Sequence, residues 1–293
     1  MLTSAQSPVF TQYYATTSWH NPAWSGNLPV SRVTLNARNE FPKIQNGLTT
    51  TRIAYDSSLP DLHSGIAVQL VYQSLAQLFT TYTTQVSYSY NVSIARNLQF
   101  SLGTGIYFQQ SGWQRGNLVL PSGILLPGSS LPEGVASNKE NQYGMSAGFI
   151  VGNKKFHAGM GIGEISFAQN DWLPMRLDVH FGTNFDINTH KQRFLRISPV
   201  MRYHQQYANK FFSTGVYARI PRFTGGIETT FGINKPISFS LILGFQYSNI
   251  IFAYSNETRI TQTYLPQIHE VSLVYEFKPK KKRRTDAISC PAL

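Results

Sequence analysis

The sequence predicts an all-β fold, a transmembrane antiparallel up-and-down β-barrel of about fourteen strands, on three observations. First, segments of about ten residues split into an apolar and a polar face when read two residues at a time, from Val30 to Phe277. Phe156, Ala158, Met160 and Ile162 oppose His157, Gly159, Gly161 and Gly163. Leu177, Val179, Phe181, Thr183 and Phe185 oppose Asp178, His180, Gly182, Asn184 and Asp186. Ile237, Phe239, Leu241, Leu243, Phe245 and Tyr247 oppose Ser238, Ser240, Ile242, Gly244 and Gln246. Second, the chemistry of the two faces separates a membrane barrel from a soluble sandwich, which alternates too. The polar face carries Gly, Ser, Thr, Asn, Gln and Tyr in place of Lys and Glu. Charged residues make up 13% of the chain, about half the ~25% usual in soluble domains. Third, no apolar run approaches the roughly 20 residues of a membrane-spanning helix, so strands must do the crossing. A mildly negative mean hydropathy agrees, since only alternate residues of a barrel strand meet lipid.

In chain order, residues 1–6 read as the remnant of a secretion signal, with small Thr3, Ser4 and Ala5 but no basic or apolar region ahead of them. Residues 7–29 are polar, aromatic and broken by Asn21-Pro22 and Ser25-Gly26. They form an ordered entry segment outside the barrel wall that covers the periplasmic mouth or enters the lumen. The barrel occupies 30–277, with strands at 30–41, 48–57, 62–74, 79–95, 98–110, 142–152, 154–164, 176–187, 192–205, 209–219, 222–232, 236–248, 250–262 and 267–277. Fourteen is an even number, as single-chain bacterial barrels require. Arg96-Asn97, Asn153-Lys154 and 188–191 serve as short periplasmic turns, and 112–141 is one long, outward loop. Tyr82, Tyr88, Tyr90, Phe211, Phe212, Tyr247, Phe252, Tyr254, Tyr275 and Phe277 cluster near strand ends, where aromatic girdles meet headgroups.

The stretch 278–293 is a basic periplasmic tail. Lys278, Lys280, Lys281, Lys282, Arg283 and Arg284 stand against the single Asp286, which accounts for five of the net +11. Such a run is solvated, or it is an electrostatic handle for an acidic periplasmic partner or a membrane surface. Cys290 has no second cysteine to pair with inside the chain.

The polar faces carry candidate lumen charges: Asp178, His180, Asp186, Arg196 and Arg202. Antiparallel pairing across a short turn brings Asp178 near Arg202 and Asn184 near Arg196. These groups either brace the lumen or line it to filter solutes or hold a partner's segment. No nucleophile elbow, zinc helix, phosphate loop or cysteine pair is present, so no catalytic residue, cofactor or metal is expected. His20, His63, His157, His180, His190, His204 and His269 show no metal-ligand spacing. Nearly half of the net positive charge sits in the tail, and no nucleic-acid-binding motif accompanies it, which excludes that partner class.

Two stretches carry a resemblance. Ser7-Pro8-Val9-Phe10-Thr11-Gln12-Tyr13, followed by His20-Asn21-Pro22-Ala23-Trp24-Ser25-Gly26, resembles the opening of the PorP/SprF outer-membrane proteins of the Bacteroidota. Ile268-His269-Glu270-Val271-Ser272-Leu273-Val274-Tyr275-Glu276-Phe277 resembles that family's last strand. The resemblance implies a non-enzymatic barrel in the outer membrane of a Gram-negative bacterium, with both termini periplasmic. Such a barrel works with other components of the type IX secretion and gliding machinery and anchors large surface adhesins through their C-terminal domain. The basic tail and the apolar long loop depart from the family pattern. Leu118, Val119, Leu120, Ile124, Leu125, Leu126 and Leu131 are costly to expose to water, so the loop is expected to bind an extracellular partner or to plug the barrel from above. The competing expectation is a porin-like channel for small solutes, which the same architecture permits.

Overall fold

The structure is a computed structural model and describes residues 7–42, 47–113, 139–167, 175–189, 193–207, 209–232, 237–260, 266–277 and 288. Fifteen strand segments follow one another. They are β1 (Arg32–Glu40), β2 (Leu48–Leu59), β3 (Ser64–Leu75), β4 (Phe79–Ala95), β5 (Leu98–Trp113), β6 (Lys139–Gly152), β7 (Phe156–Ser166), β8 (Arg176–Thr183), β9 (Phe185–Thr189), β10 (Arg193–Gln206), β11 (Asn209–Arg219), β12 (Phe223–Gly232), β13 (Ser238–Tyr247), β14 (Ile250–Arg259) and β15 (Gln267–Glu276). Apart from β8 and β9, which share a stave, each pairs antiparallel with its sequence neighbour, and β1 pairs with β15 from Arg32↔Glu276 to Glu40↔Ile268, which closes the sheet on itself. β8 and β9 are one stave interrupted at Asn184, since both lie along β10. The result is the closed antiparallel barrel of fourteen strands that the alternation predicts. Strand β5 runs on to Trp113 and β6 starts at Lys139, so the long connection is 114–138, shorter than the expected 112–141.

Exposure follows the period of two. In β13, Phe239, Leu241 and Leu243 are each more than half exposed, while Ser238, Ser240 and Ile242 between them are buried. An apolar belt of this kind, at about 25 cal/mol per Å² in water, is stable only against hydrocarbon. No helix of the described residues is long and apolar enough to cross a membrane. One girdle assignment needs correction: Phe211 points inward, is buried, and stacks on His204 at 4.7 Å between ring centres. Its parity within β11 matches Ser213 and Gly215 rather than Phe212.

The interior is polar, and a segment of the chain itself occupies it. Residues 7–29 enter the barrel and fold into two 3₁₀ turns, η1 (Tyr13–Ala15) and η2 (Pro22–Trp24), flanking a single helical turn α1 (Thr17–His20). Every residue from Phe10 to Ser25 is buried. Of the two placements open from sequence, the segment takes the lumen. Ser7 lies at the barrel end that carries the 114–138 connection, bonded to Gln206 and Glu164, and the chain leaves at the opposite end into Arg32.

Candidate functional site

The glycines on the inward faces make room for this plug. A Cβ at Gly103 would lie 2.1 Å from the Ala23 nitrogen, at Gly148 2.2 Å from Asn21 Oδ1, and at Gly161 2.4 Å from the His20 carbonyl oxygen. Three strands thus present bare backbone to one turn of the plug. That turn is the Asn-Pro-Ala-Trp element. Asn21 Oδ1 accepts from the Ala23 N–H at 2.9 Å and caps η2, whose first position suits Pro22. Asn21 Nδ2 donates to the Phe149 carbonyl at 3.0 Å, and Trp24 Nε1–H donates to His180 Nε2 at 3.3 Å. Gly26 then adopts a left-handed φ of 56°, where the backbone passes against Gly65.

The opening Phe-x-Gln-Tyr run docks on the closing strand. Thr11 N–H and Gln12 N–H donate to the Glu270 carboxylate at 2.8 and 3.2 Å, and Gln12 Nε2 donates to the Glu270 carbonyl at 2.9 Å. Arg38 on β1 joins them. Its guanidinium meets Glu270 at 3.2 Å, Glu257 at 3.3 Å and Glu40 at 3.1 Å. The two motifs at opposite ends of the sequence therefore meet inside the barrel and bond to each other.

Further buried charges grip the plug from other staves. Arg52, 1% exposed, donates to Gln69, Asn36, the Ala15 carbonyl and Ser18 Oγ. Arg176 donates to the Trp19 carbonyl and lies over the Trp19 ring, 4.9 Å from its centre. Apolar inward residues Ile150, Val200, Ile242 and Val274 form a small core with Tyr13, Tyr14 and Trp24. This contact explains why apolar residues stand on otherwise polar faces.

The lumen charges read from sequence fall out differently from the expected pairs. Opposite Asp178 stands His204, and opposite Arg202 stands His180, so the true register is offset by two residues from the predicted Asp178–Arg202 pair. Asp178 binds His204 Nδ1 at 2.7 Å and Arg176 at 3.1 Å. Arg202 reaches over β11 to Glu228 and covers the Tyr13 ring at 4.9 Å. Arg196 pairs with Asp186, not Asn184, through bonds of 2.6 and 3.1 Å, and Asn184 accepts instead from Ser198 at 2.7 Å. The Asp186–Arg196 pair is solvent-exposed at the short-turn end, whereas Asp178, His180 and Arg202 touch the plug or its supports.

Sequence reading did not single out Glu164, Arg176, Glu228, Glu257, Arg38 or Arg52. Inward parity marks five of them, but Glu164 breaks parity. A bulge in β7, where register shifts opposite Ser146 and Glu164 takes a φ of 60°, turns its carboxylate inward to Ser7, Gln206 and Arg176. Nor does spacing show that His20, Asp178 and His204, far apart in sequence, converge with ligand atoms within 4.8 Å of one another. Leu118, Leu120, Ile124, Leu125, Leu126 and Leu131 lie outside the described residues, as do Lys278, Lys280, Lys281, Lys282, Arg283, Arg284 and Cys290. Within the tail Ile288 is described. It is fully buried, and its carbonyl accepts from Asn27 Nδ2 at 2.7 Å, so this position is packed rather than solvated.

The family described as "Type IX secretion system membrane protein PorP/SprF" matches residues 2–275. The chain belongs to the PorP/SprF family. A PorP/SprF barrel is a membrane protein of the type IX secretion system, and its fold places it in the outer membrane. The family is one of secretion membrane proteins, not a known enzyme class. No curated protein matches the chain in sequence. Among solved structures, the toluene transporter TodX of P. putida is 9% identical, with a TM-score of 0.49 over 88% of this chain and 92% of its own. Omp33 of Acinetobacter baumannii is 9% identical, with a TM-score of 0.47 over 86% of this chain and 100% of its own. The KdgM porin is 8% identical, with a TM-score of 0.41 over 84% and 99%.

Proposed function

We propose that this PorP/SprF barrel is a closed outer-membrane anchor, which holds a large secreted adhesin at the cell surface through the adhesin's C-terminal domain and works beside other type IX and gliding components. One observation carries the reading. The chain's own residues 7–29 fill the lumen and are fixed to many staves by buried charged and backbone hydrogen bonds. A solute channel would need that path open. In this reading the 114–138 connection faces outward and the C-terminal end faces the periplasm, while Ser7, at the same barrel end as that connection, lies on the outward side and not, as expected, on the periplasmic one. The leucines and Ile124 of the connection form the contact for the partner. Asp178, His180 and Arg202 brace the lumen, Asp186 and Arg196 lie at the periplasmic mouth, and the basic tail meets a periplasmic surface of opposite charge.

The test joins single-channel recording of the intact protein with mild detergent extraction from its own membrane. The anchor reading expects no large, steady conductance, copurification of a very large surface protein, and loss of that protein from the surface when residues 118–132 are deleted. A large, steady conductance without such a companion would establish the porin reading instead.

A further inference from the structure

We propose that His20, Asp178 and His204 form a binding site for one divalent transition-metal ion of the zinc class, which pins the plug to the barrel wall. The three side chains come from three elements, α1, β8 and β10, and all are buried. His204 Nδ1 lies 2.7 Å and His20 Nδ1 3.4 Å from the same oxygen, Asp178 Oδ1. In a tetrahedral zinc site, with metal–ligand bonds of about 2.0–2.1 Å, ligand atoms stand roughly 3.3 Å apart. All three ligand atoms lie within 4.8 Å of one another, so shifts of about an ångström would bring them to that spacing.

His20 is the second, independent sign. It is 3% exposed, its Nδ1 meets the Asp178 carboxylate only through a long ion-pair contact of 3.4 Å, and among the described residues neither ring nitrogen has a well-formed hydrogen bond. Buried polar groups are nearly always satisfied, and one that is not calls for a specific partner. Arg176 sits 3.1 Å from Asp178 Oδ2 and holds the carboxylate, while Phe211 stacks on the His204 ring. Tyr13 packs on His20, 5.2 Å between ring centres.

The ligand set also chooses the metal: two imidazole nitrogens and a carboxylate oxygen favour Zn²⁺ or Co²⁺ over Mg²⁺ or Ca²⁺, which prefer oxygen ligands. On binding, the proton shared by His204 Nδ1 and Asp178 Oδ1 leaves to solvent and the ion takes its place. This site goes beyond the anchoring role and does not rest on it.

The probe is Co²⁺, added to the full-length protein in detergent after treatment with chelator, followed by visible absorption and metal analysis. One Co²⁺ per chain with a tetrahedral spectrum, displaced by Zn²⁺ and not by Mg²⁺, is expected. H20Q and H204Q should each weaken binding at least tenfold, while H63N, at an exposed turn residue, should leave it unchanged. Wild-type protein that binds no stoichiometric Co²⁺ would overturn the proposal, and so would undiminished binding by H20Q and H204Q. H20Q alters only the plug, so the barrel can fold around it. The wild-type spectrum reads the coordination without any variant.

Discussion

Replacing Glu270 with alanine should free the plug without opening the wall. Glu270 is 1% exposed and accepts from Thr11 N–H, Gln12 N–H and Arg38. In E270A two backbone donors lose their acceptor in a place closed to water, at about 1–3 kcal/mol each. Arg38 keeps Glu40 at 3.1 Å and Glu257 at 3.3 Å, so its charge is not stranded and the larger penalty of a broken buried pair is not reached. The net loss is about 3 kcal/mol, which moves the docked-to-released ratio by somewhat more than a hundredfold. Trp19 and Trp24 report it directly, because both belong to the plug and are buried. With Trp113 and Trp172 replaced by phenylalanine, acrylamide quenching in detergent micelles should rise in E270A, while heat-dependent gel migration still shows a folded barrel. Quenching that stays at the parental value in a folded E270A barrel would refute the view that the motif-to-motif contact holds the plug.

Two further outcomes follow from the same geometry. G103V should expel the plug as effectively, since the new side chain meets the Ala23 backbone at 2.1 Å and backbone cannot swing aside; raised quenching of Trp19 and Trp24 with an intact barrel is the readout. R196A should change thermal stability by no more than about 1 kcal/mol, because the Asp186–Arg196 pair is exposed and screened; a melting curve in detergent at two salt concentrations checks it.

The wall was legible because a membrane barrel enforces parity at every residue. A single step in register would put Phe239 and Leu241 inside and Ser238 and Ser240 in lipid. The lumen was less legible, for two physical reasons. The inward face reads the same whether its glycines line water or admit a backbone, so sequence alone does not show that Gly103, Gly148 and Gly161 receive the plug. Pairing across strands also depends on register to the residue. β8 and β9 keep one register on β10, and their hairpin turns between Thr189 and Arg193, later than the expected 188–191, so Asp178 faces His204 rather than Arg202. The bulge in β7 is why Glu164 escapes the pattern. The meeting of Gln12 with Glu270, and of His20 with Asp178 and His204, has no signature in spacing at all.

The position of the plug contacts has a consequence for assembly. Arg38 lies on the first strand and Glu270 on the last, and these strands form the seam that closes the barrel. The plug leaves the ribosome ahead of every strand, yet its Glu270 acceptor follows Thr11 by 259 residues. Contacts of that sequence separation form late, because a long loop must first be closed. Docking of Thr11 and Gln12 therefore requires β15 to be in place, and once made it ties β15 and β1 together through Arg38. The plug and the seam stabilise each other. Until the barrel has closed, this hold on Thr11 and Gln12 is missing, although Arg52 and Arg176 grip other parts of the plug from β2 and β8.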